Sequence, residues 1–230
     1  MAAALAGTGV SISNALFQTD GAEAGYFGSG ASTVGFDQGL VLSTGKLSCI
    51  PGPNTQTGCT GPGTYSSLRF DFTTDTGSLF FKYVFASEEY NEFVDSQFND
   101  AFFLLLDGVN IALLPNGDSV TINNVNCGMN SMYYRNNSGP STTACPNLNL
   151  DIQFDGLTTV LTASAVVGAG MHSFEFKVSD VGDSALDSAV FLQAGSFSGI
   201  DPGGNVPEPA SLALVGLALA GLAAARRRVG

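Results

Sequence analysis

The chain has 230 residues, of which 29 are glycine and only 12% are charged, and its formal net charge is −12. That length suits one all-β core rather than several domains, and the abundance of Gly, Ser, Thr and Asn excludes a helical bundle or coiled coil. So acidic a chain repels phosphate backbones, which excludes nucleic acid as a partner and admits divalent cations; acidity that merely keeps an exported protein soluble is the plainer account.

At the start, residues 1–7 carry neither a basic segment nor a full apolar stretch, and the small residues at 2–6 read as the remnant of a signal peptide begun further upstream. The first strand candidate is Gly39–Ser43. Period-two alternation then marks three core strands: Leu68, Phe70 and Phe72; Leu79, Phe81, Tyr83 and Phe85; and Phe174, Phe176 and Val178. Between the second and third, residues 87–96 have helical character suited to a structured loop or single turn. Residues 101–106 and 111–114 flank Asp107-Gly108-Val109-Asn110 as a hairpin. Further strands are expected at 119–123, 158–167 and 188–194, giving a β-sandwich, jelly-roll-like, as a single domain over residues 1–198.

Four cysteines form two local pairs, Cys49 with Cys59 and Cys127 with Cys145, each enclosing a loop rich in turn-forming residues. Disulfides 49–59 and 127–145 would close loops that apolar burial holds poorly, and they imply an oxidising compartment. A four-cysteine zinc site is the competing reading, but no Cys-x-x-Cys spacing is present.

Residues 199–206 form a Gly/Pro linker, followed by Pro207-Glu208-Pro209, an apolar run over 210–225 and the basic cluster Arg226, Arg227 and Arg228. The run predicts a single hydrophobic transmembrane helix with a cytoplasmic C-terminus. In this order, residues 207–230 resemble the PEP-CTERM sorting signal. The resemblance implies export, a transient stay in the inner membrane, recognition by an exosortase-type processing protease, and delivery to the cell surface or extracellular matrix, often alongside exopolysaccharide.

The body resembles the choice-of-anchor L domain family through residues 39–45, 84–94 (Val-Phe-Ala-Ser-Glu-Glu-Tyr-Asn-Glu-Phe-Val), 98–102, 107–112 and 186–191. The match extends over most of residues 5–198. It implies no particular biochemical activity.

Candidate chemistry concentrates in Glu88, Glu89, Glu92, Asp95, Asn99 and Asp100, oxygen ligands on one short connection. Glu88, Glu89, Glu92, Asp95 and Asp100 form a candidate calcium site, because hard cations take six to eight oxygens and clustered like charges need neutralising; turn-capping or solvated carboxylates are the other reading. Asp180, Asp183 and Asp187 form a second acidic set near the last strand. Glu88 or Glu89 with Asp100 would also satisfy the two-carboxylate requirement of a glycosidase. The lone histidine, His172, is the only base for a serine triad, and a solvated or hydrogen-bonded role suits it better. Tyr133, Tyr134 and Arg135 present either a sugar-stacking platform or packing beneath the second cysteine loop. The expectation is a non-catalytic matrix or adhesion module associated with polysaccharide, with a secreted carbohydrate-active enzyme as the alternative. No catalytic or organic-cofactor residues are assigned.

Overall fold

Leu68, Phe70 and Phe72 alternate inward along β4 (Tyr65–Thr74), and Phe174, Phe176 and Val178 do so along β11 (His172–Ser179), giving one wall of a buried aromatic core. Leu79, Phe81, Tyr83 and Phe85 of β5 (Ser78–Ser87) form the facing wall, and Phe81 meets Phe176 across the layers at a centroid distance of 4.7 Å. Phe197 closes the cluster with edge-on contacts to Phe70, Phe72 and Phe174, an arrangement that adds quadrupolar attraction to the burial of apolar area.

This computed structural model describes residues 1–55, 63–139, 141–182 and 184–201. Its remaining strands are β1 (Val10–Thr19), β2 (Ala24–Phe27), β3 (Gly39–Ser43), β6 (Ala101–Leu106), β7 (Val109–Asn110), β8 (Tyr134–Asn136), β9 (Gly156–Thr158), β10 (Leu161–Val166) and β12 (Ser188–Gln193). One sheet has the order β1-β4-β11-β6-β7; the other runs β2-β3-β12-β5-β9-β8, with β10 also beside β5. Every strand pair is antiparallel. The protein is thus the all-β sandwich expected from its alternation. A second cluster, including Val34, Phe36, Phe154 and Phe191, covers the outer face of β12 and of the C-terminal half of β5 at Val84 and Ala86, so those stretches are buried on both faces.

Several local expectations are corrected. Residues 2–6 belong to the body: Ala2 and Leu5 are buried in the core, Ala6 bridges to Phe197, and the N–H of Phe197 donates to the Leu5 carbonyl. Small side chains there allow a tight 3-10 turn, Ala2–Ala4, against the sheet. The hairpin turn is only Asp107-Gly108, with φ of 48° and 85°, a left-handed pair for which Gly and Asp are suited; pairing resumes at Val109. Residues 119–123 contribute isolated bridges rather than a strand, and the run at 158–167 breaks at Thr159-Val160. As expected of residues 87–96, residues 91–95 make a turn, in which the Phe93 N–H donates to the Glu89 carbonyl at 3.1 Å. Among the described residues no helix is long and apolar enough to cross a membrane, and the expected apolar helix at 210–225 lies outside them.

Candidate functional site

Strand register assembles the site. Ser188 pairs with Ser87 in one sheet, so Asp187 and Glu88 continue the ladder, and the Glu88 N–H donates to the Asp187 carbonyl at 3.1 Å. In the other sheet Ser179 pairs with Ala101, which brings Asp180 beside Asp100. The two acidic pairs therefore sit at the same end of the sandwich, one on each layer. Asp100 joins the layers: its Oδ2 accepts from Ser188 Oγ at 2.6 Å and its Oδ1 from the Val181 N–H at 2.8 Å, while its own N–H donates to Glu89 Oε2 at 3.3 Å.

Burial makes this cluster unusual. Glu88, Glu89, Asp100 and Asp187 are all at most 5% exposed, and the Asp180 carboxylate oxygens are sealed from solvent. Burial pushes the Asp180 carboxyl up to about 9, reinforced by Asp100, Asp187 and Glu89 and opposed by the Thr44 hydroxyl. Its neutral form is the one this site favours. Tyr90, wholly buried, tilts against Tyr134 at 4.8 Å; burial raises its phenol strongly, with Tyr134, Asp100 and Glu89 adding to the shift.

The same connection has an open side. Glu92 and Asp95 are exposed, and Asp95 adopts a left-handed φ of 64° with its N–H donated to Asn123 Oδ1 at 2.7 Å. Asn91, Val94, Asp95, Asn126, Asn136 and Thr142 line a groove of about 350 Å³ along the Cys127–Cys145 disulfide. Its amides are held in place: Asn91 Oδ1 accepts from the Tyr134 hydroxyl at 2.9 Å, Asn91 Nδ2 donates to Asn136 Oδ1 at 2.9 Å, and Asn126 Oδ1 accepts from the N–H groups of Gly128 and Met129.

The five residues of the candidate calcium set are therefore divided. Glu88, Glu89 and Asp100 turn inward, where Asp180 and Asp187 join them; Glu92 and Asp95 turn outward. Asp183 lies outside the described residues. Among the described residues no group of three or more His, Cys, Asp or Glu side chains is placed to hold a metal ion.

Cys127 and Cys145 form the expected disulfide. Cys49 is disulfide-bonded as well, while its expected partner Cys59 lies outside the described residues. Tyr134 is not part of a sugar platform: its ring packs on Tyr90, and Arg135 donates through a guanidinium nitrogen to the Thr33 carbonyl at 2.6 Å. His172 is tied to Asp107 Oδ2 at 2.7 Å and the Gly168 carbonyl at 3.0 Å, at the far end of β11 from Asp180.

Sequence reasoning missed Thr44, Gly45, Ser87, Tyr90 and Ser188 as parts of the site. The available signal was position: Glu88 follows one strand, Asp100 precedes the next, and Asp180 and Asp187 bracket the last connection. Stretches 39–45, 84–94, 98–102 and 186–191 all meet at this end of the sandwich.

An export-compatible, disulfide-bonded β-sandwich with sealed acids beneath an open groove is the class of protein the geometry defines. The chain belongs to the choice-of-anchor L domain family, whose model matches residues 1–198. Residues 205–228 match the PEP-CTERM protein-sorting motif, so the protein is exported through the inner membrane and processed by an exosortase for the cell surface or extracellular space. The sorting residues Pro207, Glu208, Pro209 and Arg226 to Arg228 lie outside the described residues. No curated protein matches the chain. A solved structure, the enzymatically active domain of bacteriophage CBA120 tailspike protein 4, is similar at 13% identity and a TM-score of 0.27, over 79% of this chain and 20% of that one. The chain thus spans about a fifth of that relative's length.

Proposed function

We propose that the body is a non-catalytic extracellular matrix or adhesion module that contacts polysaccharide through the groove beside Cys127–Cys145. The supporting observation is the division of the acidic connection. The carboxylates numerous enough for acid-base chemistry are sealed at the layer junction, leaving Asp95 with pre-positioned asparagine amides at the open groove. Fixed amides and a carboxylate suit neutral sugar hydroxyls, and a disulfide-bordered wall lowers the ordering cost of binding. Calcium is the cofactor this reading admits, with Glu88, Glu89 and Asp100 the members of the candidate set that reach the acidic junction.

A glycan array with the purified protein tests the groove. The expected result is retention of a polysaccharide or oligosaccharide that Thr142→Arg, which fills the groove from an exposed position, abolishes without lowering the melting temperature. Release of new reducing ends from the retained glycan would instead establish the alternative, a secreted carbohydrate-active enzyme.

A further inference from the structure

Sheet edges invite unwanted pairing, and proteins blunt them with bulges, charges, prolines or short strands. Among the described residues, four of the five exposed edges are blunted: β1 carries a register shift between Ser13 and Leu16, while β2, β7 and β8 have four, two and three residues. The fifth is β10, whose six residues, Leu-Thr-Ala-Ser-Ala-Val, pair with β5 in unbroken register from Leu161 opposite Tyr83 to Val166 opposite Ser78. It has no charge, no proline and no bulge.

The direction of its free groups follows from β5. Phe80 exchanges both of its backbone hydrogen bonds with Ser198 on the other side of β5, so Leu79, Phe81 and Tyr83 are the residues that turn their N–H and C=O towards β10. Their partners Ala165, Ala163 and Leu161 complete that ladder, and Thr162, Ser164 and Val166 point theirs outward. Among the described residues no strand pairs with this edge. Beside it runs an apolar groove of about 530 Å³, whose other side is formed by Ile111, Leu113, Pro115 and Tyr133.

We propose that this edge is where two copies of the chain join, β10 against β10, antiparallel about a two-fold axis. Two features select a second copy as the occupant. First, residues 156–171 contain no ionisable side chain, in a chain of net charge −12; a neutral stretch is where two such acidic molecules meet the least local like-charge repulsion. Second, the edge is self-complementary. Centring the pairing on Ala163 sets Thr162 opposite Ser164, both with outward-facing backbone groups, so each pair exchanges two N–H···O=C bonds. The same register sets Leu161 opposite Ala165 on the inward face, alongside the apolar groove, and keeps the hydroxyls of Thr162 and Ser164 on the exposed face. A self-paired edge of this kind satisfies the closed symmetry of an isologous dimer.

Sedimentation velocity of the full chain in mild detergent tests the proposal. At tens of micromolar the wild type is expected at twice the 23.6 kDa chain mass, and the double variant Thr162→Lys, Ser164→Lys at one chain mass, with its thermal transition unchanged. Thr162→Val, which leaves the backbone groups intact and adds no charge, should keep the dimer, and Ser164→Asp alone should weaken it. A wild type that stays monomeric, or a dimer that survives both the lysine pair and Ser164→Asp, overturns the proposal.

Discussion

The carboxylate of Asp187 rests against the α-carbon of Gly45, in space that any Cβ at position 45 would have to occupy. Gly45 is buried, its N–H donates to Ser43 Oγ at 3.1 Å, and its carbonyl accepts from the Glu23 N–H, so the backbone there has little freedom to retreat. Gly45→Ala is therefore expected to displace Asp187 and lower stability by about 1–3 kcal/mol, the range for overpacking a buried site. Urea unfolding measures this. Adding Asp187→Ala should restore part of the loss, because the two changes share one contact and their costs do not add; strict additivity would mean that Gly45 matters for another reason.

Asp180 gives the acidic junction a pH signature of definite sign. Its carboxyl is raised to about 9 in the fold against an ordinary value near 3.8, so between those values the folded state holds a proton that the unfolded chain has released. Stability must then fall as pH rises through that window, by at most about 1.4 kcal/mol per pH unit for one proton. Asp155, raised by burial to about 6, acts in the same direction at the acid end, and His172, raised above its usual 6.5, adds to the decline just above neutrality, so the difference between wild type and Asp180→Asn over pH 7 to 9 is what reports Asp180. Melting temperatures across that range should decline for the wild type and flatten for Asp180→Asn. If calcium occupies the junction, millimolar calcium should also flatten the decline and raise the melting temperature, with chelator reversing both; no response to either would remove calcium from the account.

The core was legible because one buried face imposes period two: Phe70, Phe72, Phe174 and Phe176 are visible in the sequence as strands and are central in the sandwich. β1 was not, because it is an edge strand with a bulge; Leu16 is 52% exposed there, so no clean alternation forms. β2 and β8 are too short for a pattern to emerge. At the site the acidic connection was visible as a cluster, but which acids turn inward depends on a turn whose side-chain directions follow no period. That Asp180 and Asp187 complete the cluster depends on β11 lying beside β6 and β12 beside β5, pairings between strands far apart in sequence.

At the opposite end of the sandwich, His172 and Asp107 lock the β6–β7 turn to β11. The hydrogen bond to Asp107 raises the His172 pKa above its usual 6.5, and the same bond lowers that of Asp107. The histidine's contribution is fully present below 6.5 and lost as pH rises through its folded value; that of the aspartate is present above 3.8 and lost as pH falls through its own. NMR titration of the His172 ring should give a midpoint above 6.5, and Asp107→Asn should lower it. An unchanged midpoint in that variant would show the pair to be uncoupled.

The Cys127–Cys145 bridge closes a segment of sequence separation 18 that contains β8 and borders the groove. Its loss in Cys127→Ser, Cys145→Ser should cost about 3 kcal/mol by the loop-closure estimate, read as a lower urea midpoint. Because Asn91, on the β5–β6 connection, is fixed partly by Asn136 inside that loop, glycan retention should weaken further than the stability loss accounts for. Equal retention in the folded variant would separate the groove from the bridge.

The sorting segment makes the remaining prediction. Pro207 and Pro209 lack backbone donors and prolines disfavour helix in the residues before them, so the sequence predicts a protease-accessible segment ahead of the apolar run at 210–225. The expectation from the sequence is that the run retains the chain in the bilayer with Arg226, Arg227 and Arg228 on the cytoplasmic side, since carrying three cations across the hydrocarbon is costly. Within the motif matched over 205–228, processing is therefore expected to remove everything after roughly Pro209. Mass spectrometry of surface material should find a C-terminal peptide ending near that residue. Replacing the three arginines with glutamine should leave folding of the body intact, impair retention and reduce the processed form. Surface protein that still ends at Gly230 would mean that the apolar run is a permanent anchor and that the motif is not cleaved in this chain.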